Sequence, residues 1–229
     1  MPTVLVAGAS RGIGLEFVRQ YASDGWRVVA GCRRPDEASE LQALTSEGRI
    51  EVHALDVASD SSVATFKEAV GDELLDLLIC SAGAPGGGRQ ALGDIDFAEM
   101  ARTLEVNMTG PLRVVQAFTP NLSKAPGAKL IAITSGMGSI QNTTSTEMMI
   151  YRISKAGLNE AWRCVAIELQ PKGITATVIH PGWVATAMGG ENAPVSPKQS
   201  VNGMRDVIAG LRPDDTGTFR TFDGGTLPW

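Results

Sequence analysis

The stretch from Thr3 to Ala22 constrains the fold more than any other part of the chain. Thr3 to Ala7 is a short β-branched and apolar run. Gly8 ends it, and Gly12 and Gly14 follow in a Gly-x-x-x-Gly-x-Gly spacing before Leu15, Val18, Tyr21 and Ala22 take up a helical period. Strand, glycine turn and helix in that order is the setting that a phosphate-cradling loop needs. Glycine lets the main chain approach a pyrophosphate closely, and the helix N-terminus presents unpaired N–H groups and the positive end of its dipole. An ordinary strand-to-helix turn is the competing reading. Glycines at all three positions of the first such unit favour nucleotide binding, although their spacing differs from Gly-x-Gly-x-x-Gly.

The pattern then repeats. Trp26 to Cys32 reads as a second strand, Asp36 to Glu47 as a helix, and Ile50 to Leu55 as a third strand closed by Asp56 and Val57. Ser59 to Val70 reads as a helix capped by Ser59 or Asp60. Leu74 to Cys80 is nearly continuous in apolar residues, the mark of a parallel strand buried on both faces, and it ends at Ser81-Ala82-Gly83. Ala84 to Gly93 reads as a loop with no element of its own. Helical patterns run from Phe97 to Asn107, Pro111 to Leu122, Tyr151 to Leu169, and Ser196 or Pro197 to Leu211. Strands are expected from Lys129 to Thr134, Ile174 to Ile179 and Thr218 to Phe222. Alternation at this spacing means right-handed βαβ units. It predicts an α/β fold with residues 1–229 as a single domain, a doubly wound (Rossmann) parallel sheet of about seven strands flanked by helices.

Composition excludes several classes. The net charge is −5 and lysine and arginine are spread along the chain, so neither a nucleic-acid footprint nor a membrane-surface helix is expected. No apolar stretch reaches spanning length. Cys32, Cys80 and Cys164 lack metal-like spacing and read as free thiols of a reducing compartment. The strand that begins at Thr3 leaves no room for a signal peptide, so a soluble cytoplasmic protein is expected. His53 and His180 have no third ligand at metal spacing, and no metal site is expected.

Chemistry concentrates at Tyr151 and Lys155, four residues apart and so on one helical face. An ammonium beside a phenol favours the phenolate and lowers its pKa, which makes the phenol a usable acid or base. A solvated helix face gives the same spacing, so the pair gains its meaning from what surrounds it. Ser135 sits at the carboxyl end of the Lys129 strand, where ligands of open α/β sheets bind. At the end of the second strand, Cys32-Arg33-Arg34 stands where an acid would hold a ribose 2′-hydroxyl. Arg33 can instead pair with a 2′-phosphate, with Arg11 of the glycine loop as a second positive charge; solvated loop arginines are the alternative. Trp162, with Leu158, Val165 and Leu169, reads as a packing stripe.

These motifs together resemble the short-chain dehydrogenase/reductase family over nearly the whole chain. Ala7-Gly8-Ala9-Ser10-Arg11-Gly12-Ile13-Gly14 resembles its glycine loop, with Ala7 in place of threonine. Cys80-Ser81-Ala82-Gly83 stands where Asn-Asn-Ala-Gly is usual. Asn107, Ser135, Tyr151 and Lys155 match its Asn-Ser-Tyr-Lys set, and Pro181-Gly182 with Thr186 match its nicotinamide loop. Within the family, Leu15-Glu16-Phe17-Val18, His180-Pro181-Gly182-Trp183-Val184 and the closing Asp223 to Trp229 resemble carbonyl reductases of the C-factor and sniffer type.

The resemblance implies NADP(H)-dependent reduction of a small ketone or aldehyde. Tyr151 is then expected as proton donor and Ser135 as hydrogen-bond donor to the carbonyl oxygen. Lys155 is expected to hold the nicotinamide ribose and depress the Tyr151 pKa, and Asn107 to hold a relay water. It further implies that Asp56 and Val57 hold the adenine, that Thr186 binds the carboxamide beside Pro181, Gly182 and Val184, and that Gly8, Ser10, Arg11, Gly12, Ile13, Gly14, Arg33, Ala82 and Gly83 line the dinucleotide. Ser139 is the runner-up serine. Members of the family often dimerise through the Tyr151 helix, where Ala156, Gly157 and Ala161 are small, so a homodimer or homotetramer competes with ordinary packing on the sheet. C-factor-type relatives leave a second reading, a dinucleotide-binding regulatory protein.

Overall fold

The computed structural model describes residues 1–229, the side chain of Glu47 excepted. Seven parallel strands form one sheet: β1 (Thr3–Ala7), β2 (Arg27–Cys32), β3 (Ile50–Ala54), β4 (Leu77–Cys80), β7 (Lys129–Ile133), β8 (Thr175–His180) and β9 (Phe219–Thr221). Their order is β3-β2-β1-β4-β7-β8-β9. The chain therefore winds outward from β1 in both directions, and the crevice where it reverses lies beside the carboxyl ends of β1 and β4. The doubly wound expectation is met.

Each strand serves two cores because its side chains alternate. Leu5 and Ala7 of β1 face one layer, with Val63 and Phe66 of α3 (Asp60–Val70), Val114 and Phe118 of α5 (Gly110–Leu122), and Leu158 and Trp162 of α6 (Met149–Leu169). Val4 and Val6 face the other, with Phe17 and Val18 of α1 (Gly12–Ser23), Leu41 of α2 (Ser39–Ala43), and Val201 and Met204 of α7 (Pro197–Gly210). Phe66 and Phe118 meet edge to face at 5.4 Å between ring centroids, wholly enclosed. Truncating either to alanine is expected to cost about 3–5 kcal/mol. Trp162 is 1% exposed, so the expected packing stripe is core.

Several sequence boundaries move, each for a local reason. The expected helix from Asp36 to Glu47 is broken, because Ala38 leaves helical geometry with ψ 62° and only α2 remains regular between two 3-10 turns. The hydroxyls of Thr45 and Ser46 bond back to the carbonyls of Gln42 and Ala43, competing with helical continuation. The Ala84–Gly93 loop is not without an element: Gln90 and Ala91 (β5) pair antiparallel with Asp94 and Ile95 (β6). The two helices expected on either side of residues 108–110 are continuous. α4 (Phe97–Leu104) passes through one π-helical turn, Glu105–Thr109, into α5. Asp96 caps α4 at its start, and Ser59 and Ser196 cap α3 and α7.

Candidate active site

The site forms at the carboxyl ends of β1, β4, β7 and β8. Ser135 follows β7 by one residue beyond Ile133, half-buried, and its Oγ accepts from the Met137 amide at 3.1 Å. α6 brings Tyr151 and Lys155 up against it on one face. The Lys155 ammonium lies 5.8 Å from the centre of the Tyr151 ring and donates to the Ile133 main-chain oxygen at 2.8 Å. Tyr151 is half-buried and Lys155 is only 4% exposed.

Burial sets the electrostatics. It pushes the Tyr151 phenol up from its ordinary value, and interaction with the Ser135 side chain partly offsets this. The sequence-based expectation of a phenol lowered by Lys155 therefore does not hold in this structure. The reason is that Lys155 is itself short of solvation: burial brings its pKa down to about 8. A weakened cation that already donates to a carbonyl does little for a neighbouring phenolate.

Asn107 sits in the π-helical turn with no exposure. Its Oδ1 accepts from the Ala84 amide at 2.7 Å, and its Nδ2 donates to the Ala84 carbonyl at 2.8 Å and to Ser154 Oγ at 2.9 Å. Ser154 Oγ in turn donates to the Tyr151 main-chain oxygen at 2.7 Å. Both side-chain hydrogens of Asn107 are thus committed to bracing the β4 loop against α6. This brace, with the bonds from the Ser81 and Ala82 amides to the Ala7 carbonyl, works where the usual asparagines are replaced by Cys80 and Ser81. A Cβ built on Gly83 would lie 3.7 Å from Asn107 Oδ1, 3.9 Å from Lys155 Nζ and 4.0 Å from Met188 Cε, so these groups converge on one point.

The glycine loop has the geometry its spacing requires. A Cβ on Gly14 would come within 2.0 Å of the Gly8 carbonyl oxygen, and one on Gly8 within 2.5 Å of the Ala82 nitrogen. Gly8 also holds a φ of 96°, which favours glycine. Beside the loop a cleft of about 660 Å³ opens to solvent, lined by Gly8, Ser10, Arg11, Arg33, Asp56, Val57, Ala82 and Gly83, all expected from the sequence. Cys32, at the strand end expected beside the ribose, lines it too, as do Leu55, Ala84 and Val106, which carry no signal in the sequence. No motif marks Leu55, Ala84 and Val106, apolar or small residues that only the fold brings to the cleft.

Arg34 pairs with Glu37 at 2.9 Å, whereas Arg33 and Arg11 make no ion pair among the described residues. Asp56 Oδ1 accepts from the Ala58 amide at 3.0 Å. Gly12 and Ile13 open α1, and a Cβ on Gly12 would lie 3.3 Å from Thr186 Cγ2, which closes the site from the β8 side. Pro181, Gly182 and Val184 follow β8, on the same side of the site as Thr186. They shape the turn beyond β8, where the Pro181 carbonyl accepts from Ser200 Oγ at 2.6 Å and Val184 bridges to Val195. Ser139 is 1% exposed and its Oγ donates to the Trp229 main-chain oxygen, whereas the Ser135 side chain interacts with the Tyr151 phenol.

An open cleft, a glycine cradle that a Cβ would fill and two guanidinium groups with no ion pair among the described residues fit a phosphorylated dinucleotide. No group of His, Cys, Asp and Glu side chains that could hold a metal occurs among the described residues.

Residues 2–195 match the model of the short chain dehydrogenase family. The chain belongs to that family. It is 43% identical over 155 residues to the C-signal of Myxococcus xanthus, covering 68% of this chain and 93% of that protein. The NADPH-bound carbonyl reductase from chicken fatty liver superposes with a TM-score of 0.94 at 34% identity, covering 100% of this chain and 99% of that one. The carbonyl reductase Sniffer of D. melanogaster gives 0.92 at 30% identity, with both chains fully covered. As a short-chain dehydrogenase the chain is an oxidoreductase by family, with carbonyl reductases as structural neighbours.

No described helix is long and apolar enough to cross a membrane. The small residues of α6 are used within the chain, at least at Gly157, where a Cβ would meet Met108 Sδ at 2.7 Å.

Proposed function

We propose that residues 1–229 act as one unit that reduces a ketone or aldehyde to an alcohol with NADP(H). The observation that carries this is the convergence of Ser135, Tyr151 and Lys155 beside a glycine-loop cleft bearing two unpaired arginines. When bound, the reduced nicotinamide supplies the hydride. Tyr151 donates its phenolic proton to the carbonyl oxygen, and its raised pKa keeps that proton in place at neutral pH. Ser135 donates a hydrogen bond to the same oxygen, where negative charge develops. Lys155 holds the ribose hydroxyls. Arg33 and Arg11 recognise a 2′-phosphate, and Asp56 and Val57 the adenine. The NADPH-bound and Sniffer carbonyl reductases, alike over the full chain, support the same reading.

The similarity to the C-signal favours a second reading, in which dinucleotide binding serves regulation. The complete Ser135, Tyr151 and Lys155 arrangement favours the enzyme, because a binding protein has no need of an acid aimed at the nicotinamide. Purified protein with NADPH and a panel of ketones and aldehydes tests it. Oxidation of NADPH on at least one class of carbonyl is expected; binding of NADPH without turnover on any carbonyl would leave the regulatory reading.

A further inference from the structure

The helix that carries Tyr151 and Lys155 has no cap of its own. Met148, the residue before it, holds a left-handed conformation at φ 54° and ψ 42°, the one non-glycine residue with positive φ among the described residues. Its side chain accepts nothing from the first turn. An α-helix leaves its first four N–H groups without internal partners, and Tyr151 is the third residue of this one. Its amide is bonded all the same. The acceptor is Oε1 of Gln90, at 3.3 Å, from a loop 61 residues earlier in the chain.

Gln90 is itself held on its other side. Its Nε2 donates to the Gly87 carbonyl at 2.7 Å and to the Pro85 carbonyl at 3.3 Å, which fixes the amide with its oxygen toward the helix. The loop lies close against the first turn: a Cβ on Gly86 would come within 3.0 Å of Ile150 Cγ2. At its other end the same loop is tied through Ala84, Asn107 and Ser154 to the Tyr151 carbonyl. The main chain of Tyr151 is therefore gripped at its N–H by Gln90 and at its C=O by Ser154.

We infer that Gln90 is a positioning residue for Tyr151, capping the catalytic helix from a distant loop and so aiming the phenol. The inference rests on the reductase reading for its kinetic consequence and on geometry alone for the cap. Gln90→Leu removes the acceptor at similar size. Gln90→Glu keeps an acceptor oxygen at a helix N-terminus, where negative charge is favourable, and gives up the two bonds that Nε2 donates to the Pro85 and Gly87 carbonyls.

The experiment measures amide hydrogen exchange at Tyr151, Leu158 and Trp162 in the cofactor-free protein, with kcat, KM and the NADPH dissociation constant, for wild type and both variants. In Gln90→Leu, exchange at Tyr151 is expected to quicken and kcat to fall, each about tenfold, the usual weight of one cap. Exchange at Leu158 and Trp162 and the NADPH dissociation constant stay within about twofold, since the glycine cleft is untouched. Gln90→Glu is expected to recover part of the Tyr151 protection and of the rate, because it keeps the acceptor for the Tyr151 amide and loses the donors to the Pro85 and Gly87 carbonyls. Unchanged Tyr151 exchange in Gln90→Leu, or lost protection at Leu158 and Trp162 as well, would each overturn the cap. A protein that turns over no carbonyl removes the reductase reading, and the exchange arm still decides the cap.

Discussion

The Lys155 ammonium is directed at the Ile133 main-chain oxygen, 2.8 Å away, and is shut off from solvent by the strands and helix around it. Burial lowers its pKa from 10.5 to about 8. Between those values the unfolded chain binds more protons at this position than the folded one. Stability from this group therefore rises with pH through that window and is lost as pH falls through about 8. Each tenfold difference in proton affinity between the two states is worth about 1.4 kcal/mol. Denaturant midpoints of the cofactor-free wild type are expected to gain on those of Lys155→Met between pH 7 and about 10. Parallel curves for the two proteins would show that Lys155 is not a desolvated cation.

Tyr151→Phe removes one hydroxyl and leaves the ring in its half-buried place. Carbonyl reduction is expected to fall by about 10²–10⁴-fold, the usual worth of a positioned proton donor. The NADPH dissociation constant should hardly change. Undiminished turnover in steady-state assays would take Tyr151 out of the chemistry.

The two candidate serines separate cleanly. Ser135→Ala takes away the hydroxyl that acts on the phenol, and kcat is expected to drop by about a hundredfold or more, as for loss of one oxyanion donor. Ser139→Ala breaks the tie to Trp229 and should show in a lower melting temperature with kcat near wild type. The reverse pattern would make Ser139 the serine of the site.

Cofactor choice is read from Arg33, with Arg34 as its control. Arg33 faces the cleft unpaired, whereas Arg34 is engaged by Glu37. Arg33→Ala is expected to weaken NADPH binding by about ten- to a hundredfold, as loss of a charge-assisted bond to a phosphate does. NADH, which lacks the 2′-phosphate, should bind as before, and Arg34→Ala should leave both dissociation constants near wild type. Equal losses for the two cofactors in Arg33→Ala would refute phosphate recognition there.

Much of this protein was legible in its sequence because the signals are local. Alternating strand and helix periods, a glycine at a position where a Cβ would sit 2.0 Å from a carbonyl oxygen, and a Tyr-Lys pair on one helical face are properties of short stretches, so the sheet and much of the candidate site follow from them. The preference for Ser135 over Ser139 rests on its place at a strand end, and in the structure the Ser135 side chain interacts with the Tyr151 phenol. What the tertiary structure decided is whatever depends on solvent exclusion or on partners far apart in the chain. The direction of the Tyr151 pKa turned on burial, which no spacing reports. Asn107 became a brace because the π-helical turn aims it at Ala84 and Ser154, residues 23 and 47 positions away. The cap that Gln90 places on the Tyr151 helix joins two segments with no shared motif, and only folding brings an amide oxygen to that unpaired N–H.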